Sequence, residues 1–307
     1  MNKKVRILIA YDGSDGAEAA LMDLERAGLP AEAEVIVISV ADVVLWPGSN
    51  PAAAETSPAM PEIASVTDAR QQALQAVEEA RSLAVQASQR VRATFPAWKV
   101  HAEACGDSPA WAVITKANEW KPDLVVVGSH SRSVLSRLIL GSVTQKVVTE
   151  ASCSVRVGRG RVSQSNQPVR IVIGTDGSRS AEAAVSAVAG RLWPAGAEAK
   201  VIAVLEPMMA TSPDWIQASS SDQKEWLRKK VVASEERLRA SGLIVSSKFQ
   251  EGDPKRILID EAEEWEADCI FVGAKGLRGL ERFLLGGVSA AVVSRAHCSV
   301  EVVRSRQ

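Results

Sequence analysis

The sequence is short of aromatic residues, histidine, cysteine, net charge and long apolar runs, and each shortage excludes something. Aromatics are 4% of the chain, with eight Trp, four Phe and one Tyr, so the core must be built from Ala, Val, Leu and Ile. The three histidines (His101, His130, His297) are too scattered for a metal cluster. The four cysteines (Cys105, Cys153, Cys269, Cys298) form no CxxC pair, which leaves a zinc site or a thioredoxin-type motif without support. Cys153 and Cys298 sit in ASCSV and AHCSV and read as small buried hydrophobes. Lys and Arg total 36 against 37 Asp and Glu, a net charge of −1. That balance argues against a nucleic-acid binder driven by bulk charge and against a polybasic membrane anchor. No apolar run approaches the roughly 20 residues needed to span a bilayer, and the apolar run after the first basic residues is too short for a signal peptide. The expectation is a soluble, cytoplasmic protein. With 46% hydrophobic and 24% charged residues, wholesale disorder is excluded.

What is present is a repeat. At 307 residues the chain has room for two domains or one large barrel. Residues 5–21 read VRILIAYDGSDGAEAAL and residues 169–185 read VRIVIGTDGSRSAEAAV, an offset of 164. Further on the offset becomes 145: Glu119-Trp120 falls on Glu264-Trp265, Gly128 on Gly273, Gly141 on Gly286 and Cys153 on Cys298. The excess in the first copy lies mainly around Leu45–Thr67, a Pro-, Ala- and Ser-rich stretch that reads as a long loop. The expected division is a first domain over 1–158, a polar linker over 159–168 and a second domain over 169–307.

Within a copy the periodicity alternates. Short continuous apolar runs at Val5–Ala10, Val35–Val40 and Leu124–Gly128 predict strands buried on both faces. Trp98–Ala104 and Ser154–Val157 predict two more, and Ser299–Val303 is the second copy's last strand. Helical spacing predicts helices over Ser14–Ala27, Asp68–Thr94, Pro109–Asn118 and Ser142–Ala151. Strands alternating with helices imply parallel βαβ units, hence an α/β fold of two tandem five-stranded domains. The last strands are short and apolar and are expected to pair with each other within the chain, because exposed edges invite pairing.

In such sheets ligands bind beyond the carboxyl ends of the strands, at the switch in strand order. Two segments of each copy converge there. One is Asp12-Gly13-Ser14, repeated as Asp176-Gly177-Ser178, where a carboxylate can accept from ribose hydroxyls or form an Asx turn. The other runs from Gly128 through Ser131 to Gly141-Ser142-Val143-Thr144, repeated from Gly273 through Gly276 to Gly286-Gly287-Val288-Ser289. Its closing Gly-Ser or Gly-Gly opens a helix, whose free N–H groups and dipole favour an anion. The hydroxyls of Ser142, Thr144 and Ser289 can add hydrogen bonds. The pattern occurs twice in matching position and reads as an ancestral phosphate cradle.

At these residues the chain resembles the universal stress protein family in its tandem form, whose nucleotide-binding members carry G-x2-G-x9-G-[S/T] after strand four. The resemblance implies strand order 3-2-1-4-5 in each domain and a site for ATP or another adenine nucleotide, with or without Mg2+. By position it places Asp12 and Asp176 at ribose, and Val40 and Val204 at adenine through backbone groups. Ala10, Gly174, Val127 and Val272 would line the pocket. Gly128, Ser131, Gly141, Ser142, Val143 and Thr144 would surround the phosphates of the first site. Gly273, Gly276, Gly286, Gly287, Val288 and Ser289 would surround those of the second. Both copies depart from the motif. Ser131 replaces a glycine, at about 1 kcal/mol if that position needs positive φ. Gly287 replaces Ser or Thr and loses one hydroxyl, worth about 0.5–1.5 kcal/mol.

No Walker A loop appears, and the signatures GxGxxG after strand one, HxGH and SGGxDS are missing, which argues against a dedicated nucleotide enzyme. Lys275 stands where the first copy has His130, so no shared mechanism requires a histidine base. The reading is a stress-response regulator that binds adenine nucleotide with at most slow ATP hydrolysis. The alternative is a tandem interaction or scaffold protein with vestigial pockets. Protein partners and whole-chain homodimerisation stay open, and neither nucleic acid nor membrane is expected as a partner.

Overall fold

The computed structural model describes residues 4–43, 63–129, 140–159, 167–206, 220–275 and 285–305. The first copy runs β1 (Val5–Ala10), α1 (Asp15–Asp23), β2 (Ala33–Ala41), α2 (Ile63–Thr94), β3 (Lys99–Gly106), α3 (Pro109–Trp120), β4 (Leu124–Gly128), α4 (Ser142–Glu150) and β5 (Ser154–Gly158). The second runs β6 (Arg170–Thr175), α5 (Arg179–Ala189), β7 (Glu198–Leu205), α6 (Ser220–Ala240), β8 (Ile244–Glu251), α7 (Pro254–Glu264), β9 (Cys269–Gly273), α8 (Gly287–Arg295) and β10 (Ser299–Val303).

All ten strands form one sheet in the order β3-β2-β1-β4-β5-β10-β9-β6-β7-β8. Each half therefore carries the expected order 3-2-1-4-5. Pairing is parallel inside each half and antiparallel only between β5 and β10, in the register Val157↔Val300, Arg156↔Glu301 and Val155↔Val302. The expected meeting of the last strands is thus present inside the chain. The four valines of that register are completely buried, and burying a valine contributes about 1.5–3 kcal/mol.

Two element boundaries differ from expectation by more than two residues. Helix α2 starts at Ile63, so residues 63–67 are helical rather than loop. Pro61 is the last proline before it; beyond that point nothing breaks the helix, and extending one costs far less than nucleating one. Helix α1 ends at Asp23 and continues only as a 3-10 turn over Leu24–Arg26. Gly28, at φ +61°, turns the chain away, and a Cβ there would meet the Trp193 ring at 2.7 Å. The rest of the expected loop, residues 45–62, lies outside the described residues.

The two faces of the sheet are built differently. Helices α3, α4, α7 and α8 cover one face with a single apolar core that runs through both halves, from Leu8 and Val125 to Ile270 and Val300. On the other face α1 and α2 cover one apolar core and α5 and α6 a separate one. Between these two cores the junction is ionic. Arg156, 1% exposed, meets Glu301 at 3.2 Å and donates from Nη2 to Asp23 at 3.0 Å. Arg191 completes the cluster on Glu301, and Arg26 grips Asp268 through two bonds of 3.0 Å. Burial alone would lower the Arg156 pKa; the carboxylates of Asp23 and Glu301 outweigh it and hold the guanidinium charged.

Candidate functional site

The strand order reverses between β1 and β4 and again between β6 and β9, so a crevice opens beyond the carboxyl ends of each pair. In the first, β1 pairs with β4 through Ile9↔Val126, which sets Ala10 beside Val127. Ser39 Oγ donates to the Tyr11 carbonyl at 2.6 Å and ties the end of β1 to β2 one residue before Val40. Ala10, Val40, Val127 and Val143 all pack on the shared apolar core. The second crevice repeats this: Ile173↔Phe271 sets Gly174 beside Val272, and Val204 and Val288 pack on the same core.

The turn after β1 is held by its own side chains. Asp12 Oδ1 accepts from the Ser14 amide at 3.0 Å, and Asp176 Oδ1 from the Ser178 amide at 3.0 Å. Gly13 and Gly177 take φ +73° and +77° between them, a conformation that favours glycine. Ser14 and Ser178 then cap α1 and α5 by accepting from Ala17 and Ala181. The Asx turn is therefore formed in both copies, and it fixes each carboxylate at the rim of its crevice.

The turn before α4 is closed twice. Gly141 N–H donates to the Ser129 carbonyl at 2.9 Å, and Thr144 Oγ1 donates to the Gly128 carbonyl at 2.6 Å. In the second copy Gly286 donates to Ala274 at 2.8 Å and Ser289 Oγ to Gly273 at 2.6 Å. The hydroxyl protons of Thr144 and Ser289 thus hold the scaffold, and both residues are buried. Gly128 and Gly273 also have a packing reason for being glycine. A Cβ would lie 2.5–2.6 Å from the backbone of Gly16 and Ala17 in the first copy, and 2.5–2.6 Å from that of Ser180 in the second.

What the turns leave for a ligand is the helix end itself. Gly141 and Gly286 are the N-cap residues of α4 and α8, and neither helix receives a side-chain cap. Their first amides lack the side-chain acceptor that Ser14 or Asp253 supplies to α1 or α7; α3, behind Ser108, lacks one too, but it opens on a proline. An anion fits such an end by charge and by hydrogen bonding. Ser142 is exposed at the first position of α4. Among the described residues, nothing beyond its chain neighbours and its own helix lies within 4 Å of where a Cβ on Gly287, its counterpart, would stand. Ser131 and Gly276, with His130, Arg137 and Arg282, fall outside the described residues.

A family model for universal stress proteins matches residues 5–159 and again 169–304. The chain belongs to the universal stress protein family. Among its relatives, a universal stress protein of Synechocystis is 30% identical over 89 residues, a match covering 29% of this chain and 55% of that protein. A Staphylococcus aureus protein with the same family name is 28% identical over 140 residues, covering 45% of this chain and 84% of its own. A universal stress protein of Archaeoglobus fulgidus shares the fold across the molecule, with TM-score 0.65, 19% identity, and 97% of this chain and 98% of that one covered.

The two copies keep one crevice design with different edges. Over Gly13 lies Leu83 of α2; over Gly177 lies the Trp226 ring of α6. Beside Asp12, Tyr11 donates to Glu18, which Arg90 also holds. Burial and the Glu18 partner push the Tyr11 phenol up to about 12. Beside Asp176 stands Thr175, whose Oγ1 accepts from Gly177 at 3.2 Å. Among the described residues no group of three or more His, Cys, Asp or Glu is placed to hold a metal, and no helix is long and apolar enough to cross a membrane. An open hollow of about 400 Å³ lies on the outer surface of α3 and α4, lined by residues that include Trp111, Asn118 and Glu150, none of them an expected site residue.

Sequence reading missed the ionic junction. The signal was present: the 145-residue offset lays Arg156 on Glu301, a charge reversal in the middle of two apolar strands, SVRVG and SVEVV.

Proposed function

We propose that this chain is a cytoplasmic regulator of the stress response that binds adenine nucleotide in both crevices, with at most slow ATP hydrolysis. The observation that carries the reading is the pair of glycine-capped helix ends, α4 and α8, each without a side-chain cap and each at the reversal of strand order. The phosphates would take the first amides of these helices, aided by the dipole and in the first site by the Ser142 hydroxyl. Asp12 and Asp176 would meet the ribose, and the ends of β2 and β7 at Val40 and Val204 the adenine. Ser131 and Gly276 would approach the phosphates from the loops. Domain limits at 158 and 169 follow the same reading. A nucleotide bound this way would order the loops leading to Gly141 and Gly286 and change the surface shown to partners. A magnesium ion can accompany the nucleotide.

Isothermal titration with ATP tests this. The expected result is saturable heat that is halved in Gly141→Glu and in Gly286→Glu. Both glycines sit at ordinary extended angles (φ −63° and −65°) that any residue adopts, and the added carboxylate would repel an anion at the helix end. A second reading, a scaffold with vestigial pockets, draws on Thr144 and Ser289, whose protons are already committed to the backbone. It predicts a folded protein that gives no heat at millimolar ATP.

A further inference from the structure

We propose that the Arg156–Glu301 pair makes docking of the two halves heterotypic, so that the β5 edge accepts β10 and rejects a second β5. The antiparallel register places Arg156 directly opposite Glu301, with the buried valines 155, 157, 300 and 302 on either side. Residues 156 and 301 are equivalent positions of the repeat, so the pseudo-twofold axis passes between them. Pairing β5 with the β5 of another copy would set Arg156 against Arg156. Pairing β10 with β10 would set Glu301 against Glu301. Either places two like charges where the side chains are only 1% and 2% exposed, and a like-charge contact shielded from water disfavours the wrong pairing.

The rest of the cluster breaks symmetry in the same sense. Asp23, which holds Arg156, corresponds to Ala187; Arg191, which holds Glu301, corresponds to Ala27. In a β5–β5 pair each arginine would keep its own Asp23 and in a β10–β10 pair each glutamate its own Arg191, but neither pair would set an opposite charge across the strands. Ties that carry no sign information stay symmetric. Arg159 N–H donates to Ser299 Oγ at 2.9 Å and Arg304 N–H to Ser154 Oγ at 3.1 Å, while the two guanidinium groups donate to the carbonyls of Val293 and Val148. The backbone edges therefore suit any pairing, and the charges choose between them. The partner that fits either edge is the opposite half, from the same chain or from a second copy.

Full-length Arg156→Glu and Glu301→Arg chains test this. Each alone carries like charges at the junction in every possible pairing. Mixed, the Glu301 edge of the first meets the Arg156 edge of the second, with Asp23 and Arg191 in their natural places. Native mass spectrometry should show a 1:1 complex of the two variants in the mixture, at least tenfold above any dimer of either variant alone. No mixed complex, or equal dimer in a variant alone, overturns the proposal. Should either variant fail to fold by circular dichroism, Arg156→Met/Glu301→Met keeps the volume and removes the charges. Its self-associated fraction should rise at least tenfold over the natural chain at equal concentration. An unchanged fraction overturns the proposal.

Discussion

The strand-end crevices repeat their residues, and the junction does not. Gly128 and Gly273 face the same backbone, Thr144 and Ser289 make the same 2.6 Å bond, and Asp12 and Asp176 close the same turn. At the junction Arg156, Asp23 and Arg191 have counterparts of different charge. Where the halves do the same job, each keeps the residues for it. Where they touch each other, identical surfaces would set like against like, and the sequence diverges. A third pattern sits between these. The Lys116–Glu103 ion pair of the first half becomes Glu261–Lys248 in the second, with the signs exchanged and the contact kept.

The largest way to break the comparison is Arg156→Ala. Removing Arg156 leaves Asp23 without its cation and Glu301 with Arg191 alone, and should cost about 3–5 kcal/mol in denaturant unfolding. A loss below about 1 kcal/mol would mean that the junction is not held by charge. Next come Gly128→Ala and Gly273→Ala. Each puts a Cβ within 2.6 Å of backbone, so each should destabilise by about 1–3 kcal/mol, and the two losses should match. A marked inequality in chemical denaturation would show that the crevices are not equivalent scaffolds.

The pH response of Glu261 separates the halves more gently. Burial raises its pKa, and Lys200 and Lys248 more than reverse that, leaving it below its ordinary value of 4.5. Its contribution is present above pH 4.5 and is lost as the pH falls through the lower folded value. Glu261→Gln should therefore flatten the fall in stability below pH 4.5, and an unchanged slope would contradict the account. The smallest effect is spectroscopic. Tyr11 is the chain's one tyrosine, so phenolate absorbance reports it alone. The midpoint should lie at about 12, against about 10 for a free phenol.

Much of this was legible in the sequence. The repeat and the alternation of buried strands with helices sufficed for the two domains and their elements, because strand burial and helix starts are local patterns; the sheet order came from the resemblance to the universal stress protein family. The roles of Thr144 and Ser289 were not legible. A hydroxyl at the third helical position reads equally as a ligand donor or as a tie to the preceding strand, and the 2.6 Å contact with the Gly128 or Gly273 carbonyl shows the tie. The ionic junction was hidden for a different reason. Arg156 and Glu301 lie 145 positions apart, and the expectation that the last strands pair carried no register to set one opposite the other. The residues beyond β4 and β9 that the motif names, Ser131 and Gly276, stay as expectations.

We propose that one chain carries two adenine-nucleotide sites. Native mass spectrometry of the purified protein in the presence of ATP counts them directly. The account predicts two nucleotides per chain, falling to one in Gly141→Glu and to one in Gly286→Glu. A folded chain that binds none at millimolar ATP would contradict it.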